Sequence, residues 1–465
     1  MTQAPNFRSL PTPRMRAFRG GPELRETHVR LEVVTPILGG SHLTRAIDDV
    51  DVIRAPSVRG HLRFWWRALY AAQYTSADAL HQRESALWGR AATDDGGRSA
   101  VELRISVERA GDTDNSEIRL YPGRGQQATP GAYALWPARA ETRTNTPTAP
   151  RRQPGTRFQL TLKVAGTDED QAEVRNALRA WILFGGYGGR TRRGLGSLKV
   201  IADADGWLPT AATREALTSL FGRDVFAAPT RPPCDVPWFG GAAIHVGTKG
   251  ADAQKAWTTA LDWLKEFRQG TTDHQQLGRA REPGTGKLQP NRPSISNWPE
   301  ADKIRRIKNK TNAHAPRHNA VAAWPRAGFG LPIIGQFQKT DRSNNHNAYD
   351  EPGPFELRWR AGNVEHDRLA SPLIVKALPL ADGSFAPCAL WLNRSLPAGA
   401  QVGLARPKQG RPNDKEVDPA TVAPFDRLIA TGDAARFAAL ANKSSIRQAF
   451  LDWLHAKYQT TAVAP

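Results

Sequence analysis

One amphipathic run constrains the fold of this chain more than any other feature. The segment from Ser57 to Gln73 reads SVRGHLRFWWRALYAAQ. Its bulky apolar residues recur at positions i, i+3, i+4 and i+7, which is the stripe of a helix that buries one side. The stripe consists of Leu62, Trp65, Trp66 and Leu69. Such a helix has to pack against another layer of structure.

The elements around this helix predict an α+β fold. Alternating or short apolar runs indicate four strands, at 29–38, 100–108, 157–163 and 195–201, and a second helix is expected over 168–183. The order is then strand, helix, two strands, helix and strand. This order is typical of an antiparallel sheet with helices on one face, and we predict a ferredoxin-like (RRM-like) module.

The length of 465 residues exceeds the size at which one hydrophobic core keeps growing, so two domains are expected. The second half shows a similar but less regular mixture of helices and strands. Helices are predicted over 251–268 and 424–458, and strands over 329–337, 355–360, 369–379 and 387–393. Long loop insertions are predicted at 110–154, which we expect to be mobile, and at 270–320. We predict a first ferredoxin-like domain over 1–205, a Pro-rich linker over 206–240 and a second domain over 241–465.

The charge of the chain points to a polyanion as its partner. Lys and Arg number 64 against 45 Asp and Glu, which gives a formal net charge of +19. Nucleic acid is the leading partner for such a protein. A membrane is the competing partner, but no apolar run approaches the roughly 20 residues of a spanning helix, and the N-terminus does not resemble a secretory signal. A cytoplasmic location is therefore expected.

The two cysteines, Cys234 and Cys388, favour buried thiols over a disulfide or a zinc site. They lie far apart in the sequence, and neither belongs to a CxxC or Cys/His pair at ligand spacing. No metal or other cofactor is expected.

Arginines form a ridge along the Ser57–Gln73 helix. Arg59, Arg63 and Arg67 follow one another at i, i+4 and i+8, about 100° around the helix from the apolar stripe. No acidic residue lies three or four positions away within the helix, so these side chains are expected to be free for phosphate oxygens. A solvated charged face is the alternative, and Arg54 just upstream favours anion binding. His61, on the same helix, is included in the predicted RNA-binding set.

A glycine-rich loop and a basic tract complete the candidate RNA-binding residues. Glycines allow backbone N–H groups to approach a sugar-phosphate chain, and arginines supply bidentate donors. The loop could instead be a flexible surface turn, and the tract a disordered basic segment. Trp298 and Trp324 lie in the tract and could stack on bases, although a single Trp is more often a core residue. The candidates in the loop are Gly185, Gly186, Gly188, Gly189, Arg190, Arg192 and Arg193, and those in the tract are Lys303, Arg305, Arg306, Lys308, Lys310 and Arg317.

Candidates for catalysis are weaker. Asp48, Asp49 and Asp51 crowd one loop and could bind Mg²⁺, but carboxylates are common in turns. His42 or His61 could act in metal-independent RNA cleavage, although most histidines are structural or exposed. No nucleophile motif such as GxSxG or HExxH is present. We therefore predict no catalytic residue and no metal site.

Several blocks of the sequence resemble a known family. They are similar to the first subunits of type III-B CRISPR effector (Cmr) complexes, and the loop with Arg190, Arg192 and Arg193 resembles the glycine-rich loop of the RAMP superfamily. The blocks are Thr35-Pro36, Gly39-Gly40, Ile53-Arg54, Ser57–Gly60, Leu62–Arg67, Glu84, Leu87–Gly89, Phe329–Ile333 and Arg368–Leu373. Trp88 and Gly189 depart from the family's usual residues.

The resemblance implies two ferredoxin-like domains and assembly with other Cmr subunits, including the backbone and end subunits. It implies contact with crRNA and target RNA near the crRNA 3′ end, in a subunit that caps the complex and does not cut RNA. Two alternatives remain open: a RAMP endoribonuclease that processes CRISPR transcripts, and a general RNA-binding module outside CRISPR defence.

Overall fold

The structure is a computed structural model of the chain. It describes residues 24–90, 96–120, 125–228, 236–269, 298–308, 321–337 and 352–464. Cys234, Lys310 and Arg317 lie outside the described residues.

The described residues form helices and strands throughout the chain. The helices are α1 (Ala55–Tyr70), α2 (Ala77–Trp88), α3 (Ala132–Leu135), α4 (Asp168–Phe184), α5 (Arg214–Phe221), α6 (Ala253–Gln269), α7 (Glu300–Ile307), α8 (Asp433–Arg436) and α9 (Ile446–Tyr458). The strands are β1 (Leu24–Val33), β2 (Ile37–Leu38), β3 (Val101–Arg109), β4 (Thr113–Asp114), β5 (Arg151–Arg152), β6 (Arg157–Ala165), β7 (Leu198–Val200), β8 (Trp238–Val246), β9 (Ile333–Gly335), β10 (Phe355–Ala361), β11 (Val364–His366), β12 (Leu373–Pro379), β13 (Phe385–Asn393), β14 (Ala400–Lys408), β15 (Arg411–Val417), β16 (Ala423–Pro424) and β17 (Thr461–Ala464).

The first sheet confirms the predicted α+β class. Its strands lie in the order β3-β6-β1-β7 with antiparallel pairing, and Leu31 of β1 lies opposite Phe158 of β6 and Val200 of β7. Along the chain, helix α1 lies between β1 and β3, and helix α4 lies between β6 and β7. This is the βαββαβ order of a ferredoxin-like module. Helix α4 begins with a capping box formed by Thr167 and Asp170.

The apolar stripe of α1 is buried as predicted. Leu62 and Trp66 are fully buried, and Trp65 and Leu69 are almost so. The indole Nε1 of Trp66 donates a hydrogen bond to Glu173 Oε2 at 2.8 Å, so the polar edge of this buried ring has a partner on α4.

The second module repeats the first. Its sheet has the order β12-β13-β8-β17, again antiparallel, with α6 after β8 and α9 before β17. Two insertions separate these elements. One carries α7 and β9 to β11, the other carries β14 to β16 and α8, and together they build a third sheet in the order β11-β10-β14-β15.

The two modules share one continuous core. Helices α1 and α4 contact strands of the first sheet and also β8 and β12 of the second sheet, whose other face is covered by α6. Successive side chains of β12 point to opposite faces of the second sheet and are buried on both. Ile374 and Leu378 join the core of α1 and α4, whereas Val375 and Ala377 join the core of α6. The second sheet is therefore buried between two helical layers.

Several predictions about individual segments need correction. Residues 325–329 form a 3-10 helix and β9 is only three residues long, so the predicted strand over 329–337 is mostly absent. The helix predicted over 424–458 is confined to α8 and α9. The insertion at 110–154 was expected to be mobile, but Ala134 and Leu135 in it are buried against the core.

The segment predicted as a linker carries structure of its own. Helix α5 lies within 206–240, and its Leu217 and Phe221 are buried in the shared core. Strand β8 begins at Trp238, three residues before the predicted start of the second domain. The domain boundaries themselves stay a prediction. Within the described part of the chain, no helix combines the length and the apolar character that a membrane span requires.

Candidate nucleic-acid interface

The arginine ridge on α1 is paired, contrary to the expectation that it would be free. Arg63 Nε donates to Glu84 Oε1 at 2.6 Å, and Arg67 donates to the same oxygen. Arg59 donates to the backbone carbonyl of Trp88. The prediction considered only acidic residues within α1, whereas Glu84 comes from α2 and is almost completely buried. The ridge thus joins α1 to α2, although each arginine keeps part of its surface exposed.

Arg54, at the N-terminus of α1, and His61, in its second turn, both lie beside Tyr187 of the glycine-rich loop. The backbone N–H of Arg54 donates to the Tyr187 hydroxyl at 2.9 Å. The His61 ring stacks on Trp181, with centroids 6.2 Å and planes 13° apart, and its edge faces Tyr187. Burial lowers the pKa of His61, so the neutral imidazole is favoured near pH 7.

The glycine-rich loop is largely buried, which corrects the idea of a loop that exposes its backbone to RNA. Gly185 and Gly186 are buried, and Gly196 has φ of +65°, where an added Cβ would collide with the Tyr187 carbonyl. Tyr187 N–H donates to the Gly196 carbonyl at 2.9 Å. In this arrangement the glycines permit close packing of the loop on itself, and Gly188 and Gly189 are only partly exposed.

The second module holds the loop at several points. Lys376 of β12 donates from Nζ to the carbonyls of Gly185 at 2.8 Å and Ile182 at 3.2 Å, at the C-terminus of α4. The Trp257 indole of α6 donates to the Arg193 carbonyl at 2.7 Å, and Arg192 Nη1 donates to the Ser371 carbonyl at 2.5 Å. The conformation of the loop therefore depends on both modules.

The cations of the loop meet no neutralising carboxylate among the described residues. Burial lowers the pKa of Arg192 to about 10, and repulsion from Arg394 acts in the same direction. Burial lowers the pKa of Arg193 to about 9, with further lowering by Arg268, Arg190 and Arg192. Within the described residues, the loop's arginines make no ion pair. This loop-arginine cluster (Arg190, Arg192 and Arg193) keeps a net positive charge at the junction of the modules.

Within the cluster, access to solvent differs. Arg190 is exposed and adopts a left-handed backbone conformation with φ of +58°. Arg192 is partly exposed, and its guanidinium lies 5.4 Å from the centroid of the Phe64 ring. Arg193 is buried and donates to the Leu373 carbonyl at 3.4 Å, so we correct its assignment from direct RNA contact to support of the loop.

The basic tract forms structure in its first part. Lys303 is 1% exposed and pairs with Asp433 at 2.7 Å, and the buried Arg305 pairs with Asp302 at 2.9 Å. The prediction that these two residues bind RNA at the surface is therefore corrected, because both are buried and each pairs with a carboxylate inside the protein. Arg306 is partly exposed and Lys308 is exposed, so their predicted RNA contact stays a prediction.

The tryptophans of the tract are core residues. Trp298 and Trp324 are buried, and their indole N–H groups donate to the carbonyls of Phe267 at 3.2 Å and Thr421 at 2.9 Å. The hypothesis that they stack on bases is wrong. The structure exposes a different tryptophan, Trp136, in the insertion that follows β4.

The acidic loop before α1 is engaged in local structure. Asp48 Oδ1 accepts N–H groups from Asp51 at 2.8 Å and Val50 at 3.0 Å, and the first of these bonds does most to lower its pKa. Asp49 pairs with Arg152 at 2.6 Å. Among the described residues, no group of three or more His, Cys, Asp or Glu side chains is placed to hold a metal ion. His42 is exposed.

Sequence reasoning missed Lys376. A lysine in the middle of the strand sequence LIVKALP, which is otherwise apolar and buried, is the signal that could have found it. A buried lysine needs acceptors, and here they are the carbonyls at the start of the glycine-rich loop.

A comparison with known protein families matches the part of the chain that carries the first module and the glycine-rich loop. Residues 30–199 match the family model of the RAMP superfamily, and this segment runs from within β1 to within β7 and includes the glycine-rich loop. This part of the chain is therefore similar to proteins of the RAMP superfamily.

Solved structures with some similarity come from CRISPR systems. Cmr1 from Pyrococcus furiosus (apo form) is 16% identical, with 95% of this chain and 99% of that chain covered and a TM-score of 0.46. A chain of the type III-B Cmr-beta complex bound to cognate target RNA is 11% identical, with 80% and 96% covered and a TM-score of 0.39. A chain of a type IV-B CRISPR complex is 21% identical, with 39% and 92% covered and a TM-score of 0.27. No curated protein matches this chain.

Proposed function

We propose that this chain is a non-catalytic RNA-binding subunit of a type III-B CRISPR (Cmr) ribonucleoprotein in the cytoplasm. It contacts crRNA and target RNA, docks on the backbone and end subunits of the complex, and caps the complex near the crRNA 3′ end. The observation that carries the RNA-binding part is the loop-arginine cluster, whose charge no carboxylate among the described residues compensates. The assignment to the Cmr complex rests on the sequence blocks that resemble its first subunit.

Phosphate is the ligand that suits the cluster best. A guanidinium binds two phosphate oxygens at once. Burial, and after it repulsion from neighbouring arginines, lowers the pKa values of Arg192 and Arg193, and a bound polyanion would stabilise their charged forms. The formal net charge of +19 attracts a polyanion to the whole surface. Arg190 and Arg192 supply the accessible donors, while Arg54 and the exposed parts of the α1 ridge extend the positive surface.

The placement of the candidate acid and base groups supports a non-catalytic role. Asp48 and Asp49 are committed to a turn and to Arg152, so their carboxylates do not converge on a common point. His61 lies between two aromatic rings with a lowered pKa, which makes it a poor proton donor to a leaving oxygen at pH 7.

One experiment tests binding and cleavage together. The full chain is titrated with fluorescent single-stranded RNA that carries either a CRISPR repeat or a target sequence, at several salt concentrations, with and without Mg²⁺. Affinity should fall steeply with salt, because each neutralised phosphate contributes a slope of roughly 0.7 in log K against log salt. The RNA should be recovered intact. Affinity that does not change with salt contradicts the electrostatic interface.

The same experiment decides the alternative endoribonuclease. Specific cleavage that disappears in His61→Ala or His42→Ala, without loss of binding, would replace the capping role by RNA processing. Assembly is tested separately by co-expression with the remaining Cmr subunits and crRNA. We expect the tagged chain to recover a complex that contains crRNA, and recovery of the chain alone contradicts the subunit assignment.

A further inference from the structure

The insertion between β4 and β5 presents an exposed aromatic ring. Trp136 follows α3 in a short 3-10 turn, Trp136–Ala138, and is 41% exposed. The guanidinium carbon of Arg139 lies 3.7 Å from the centroid of the Trp136 ring. This cation–π contact covers part of the indole, and a substantial part stays accessible.

The turn that carries Trp136 is anchored on both sides. On one side, Ala134 and Leu135 of α3 are buried in the core that includes α6. On the other side, the guanidinium of Arg45 donates to the carbonyls of Arg139 at 3.0 Å and Pro147 at 2.6 Å. The ring therefore stands on a fixed support, which reduces the conformational entropy that a ligand would have to remove.

The turn lies beside the glycine-rich loop. Gly131, at the start of α3, packs so closely on the Trp257 ring that an added Cβ would collide with it, and Trp257 donates to the Arg193 carbonyl. The Tyr133 hydroxyl is close enough to influence the pKa values of Arg190 and Arg193. Trp136 follows Tyr133 by three residues, a spacing that keeps two helical side chains on one side.

We propose that Trp136, backed by Arg139, is a stacking platform for an unpaired base of RNA whose phosphates lie on the loop-arginine cluster. The inference rests on the proposed RNA-binding function and adds to it a site outside the loop and the α1 ridge. Single-stranded nucleic acid is held by cationic grooves with aromatic side chains on which bases stack. The setting of Trp136 matches this pattern, since Arg139 lies on its ring and Arg45 donates to the turn that carries it.

The test compares Trp136→Ala, Trp136→Phe and the wild-type chain in binding a fluorescent single-stranded RNA at fixed salt. Base–aromatic stacking contributes about 1–3 kcal/mol per base, so Trp136→Ala should weaken binding by roughly 5- to 140-fold. Trp136→Phe should retain most of the affinity, because it keeps a π face. The slope of affinity against salt should be the same in all three proteins, because stacking neutralises no phosphate.

A matched control is Ile334→Ala, which removes another exposed apolar side chain, 74% exposed, in β9. It should leave RNA affinity unchanged, and melting temperatures should show that all variants are folded. If the wild-type chain binds RNA and Trp136→Ala binds equally well, the platform is refuted while the RNA-binding function stands. If the wild-type chain does not bind RNA, both are refuted. Normal RNA binding by Trp136→Ala combined with loss of a Cmr subunit from the recovered complex would instead identify a protein-docking residue.

Discussion

Two groups of cations in this protein are stabilised in opposite ways. In α7 and its surroundings, Lys303 pairs with Asp433 and Arg305 with Asp302, so each charge meets a carboxylate. At the glycine-rich loop, Arg192 and Arg193 donate to backbone carbonyls. A carbonyl satisfies the hydrogen bond but does not cancel the charge. The first group is close to electrically neutral, and the second keeps its positive field.

This difference separates structural cations from candidate ligand-binding cations. Both groups look alike in sequence, as Lys and Arg close together, and both were predicted to bind RNA. The field of an uncompensated cation extends beyond its own contacts when the surroundings contain little water, whereas a neutralised pair has little field at a distance. The loop is therefore the region in which a polyanion gains most. At α7, by contrast, Lys303 joins the first insertion to α8 of the second insertion, and Arg305 pairs within the helix.

The largest expected effect concerns the neutralised group. Lys303→Ala leaves the buried carboxylate of Asp433 without its cation, and removing one partner of a buried pair costs about 3–5 kcal/mol. We expect the free energy of unfolding in urea to fall by this amount. The double variant Lys303→Met with Asp433→Leu removes both charges and should recover much of the loss. If Lys303→Ala is as stable as the wild type and instead weakens RNA binding directly, the distinction between the two groups is wrong.

The next effect concerns the α1 ridge. Arg63→Ala with Arg67→Ala leaves Glu84, whose side chain is 6% exposed, without either of its cations. Because both arginines are about one third exposed, we expect a smaller loss of about 1–3 kcal/mol in the free energy of unfolding. Adding Glu84→Gln should restore part of it. If the double arginine variant is as stable as the wild type but binds RNA more weakly, Arg63 and Arg67 act as RNA-binding cations and not as structural partners of Glu84.

The ridge also shows how far the sequence alone can lead. Helix α1, its buried stripe and the order of helices and strands along the first module follow from local periodicity, and they were predicted correctly. The pairing of Glu84 with Arg63 and Arg67 could not be predicted, because it joins two helices and depends on how they pack. Burial of the glycine-rich loop was missed for a similar reason, since the groups that cover it, Lys376 and Trp257, come from the second module.

The third sheet is another feature that the sequence alone could not predict. Strands β9 to β11 and β14 to β16 come from two insertions far apart in the chain and meet in one sheet. Local patterns indicate individual strands such as β10, but they carry no information on which strands pair. The charge pairing of Lys303 with Asp433 is equally non-local, so the electrical neutrality of α7 becomes visible only in the folded chain.

A smaller effect is expected from the uncompensated group. Arg192→Ala removes one accessible cation from the loop-arginine cluster and should weaken RNA binding about tenfold, the order expected for a charge-assisted phosphate contact of about 1.5 kcal/mol. It should also reduce the salt slope by roughly 0.7, which corresponds to one phosphate of single-stranded RNA. The matched control is Arg104→Ala, an exposed arginine on β3. Equal losses in both variants would show that only the overall charge matters.

The smallest effect is a dependence of stability on pH that arises from Lys376. Burial lowers the pKa of this amine from 10.5 to about 7, and the groups that face it are the Cys388 thiol, with its pKa raised to about 12, and the carbonyls of Ile182 and Gly185. Between pH 7 and 10.5 the unfolded chain binds one proton more than the folded chain at this site, so stability rises with pH in that window.

The cost of burying the charged amine is complete below pH 7 and is relieved as the pH increases. The slope for one group cannot exceed about 1.4 kcal/mol per pH unit. We expect urea unfolding at pH 7.0, 7.5, 8.0 and 8.5 to show a rise in the wild-type chain that is largely lost in Lys376→Met. Lys408→Met, which changes an exposed lysine, should keep the wild-type slope. Equal slopes in the wild type and Lys376→Met would mean that Lys376 remains charged throughout this window, because the carbonyls at the C-terminus of α4 stabilise the ammonium group. The loop would then carry one more permanent positive charge.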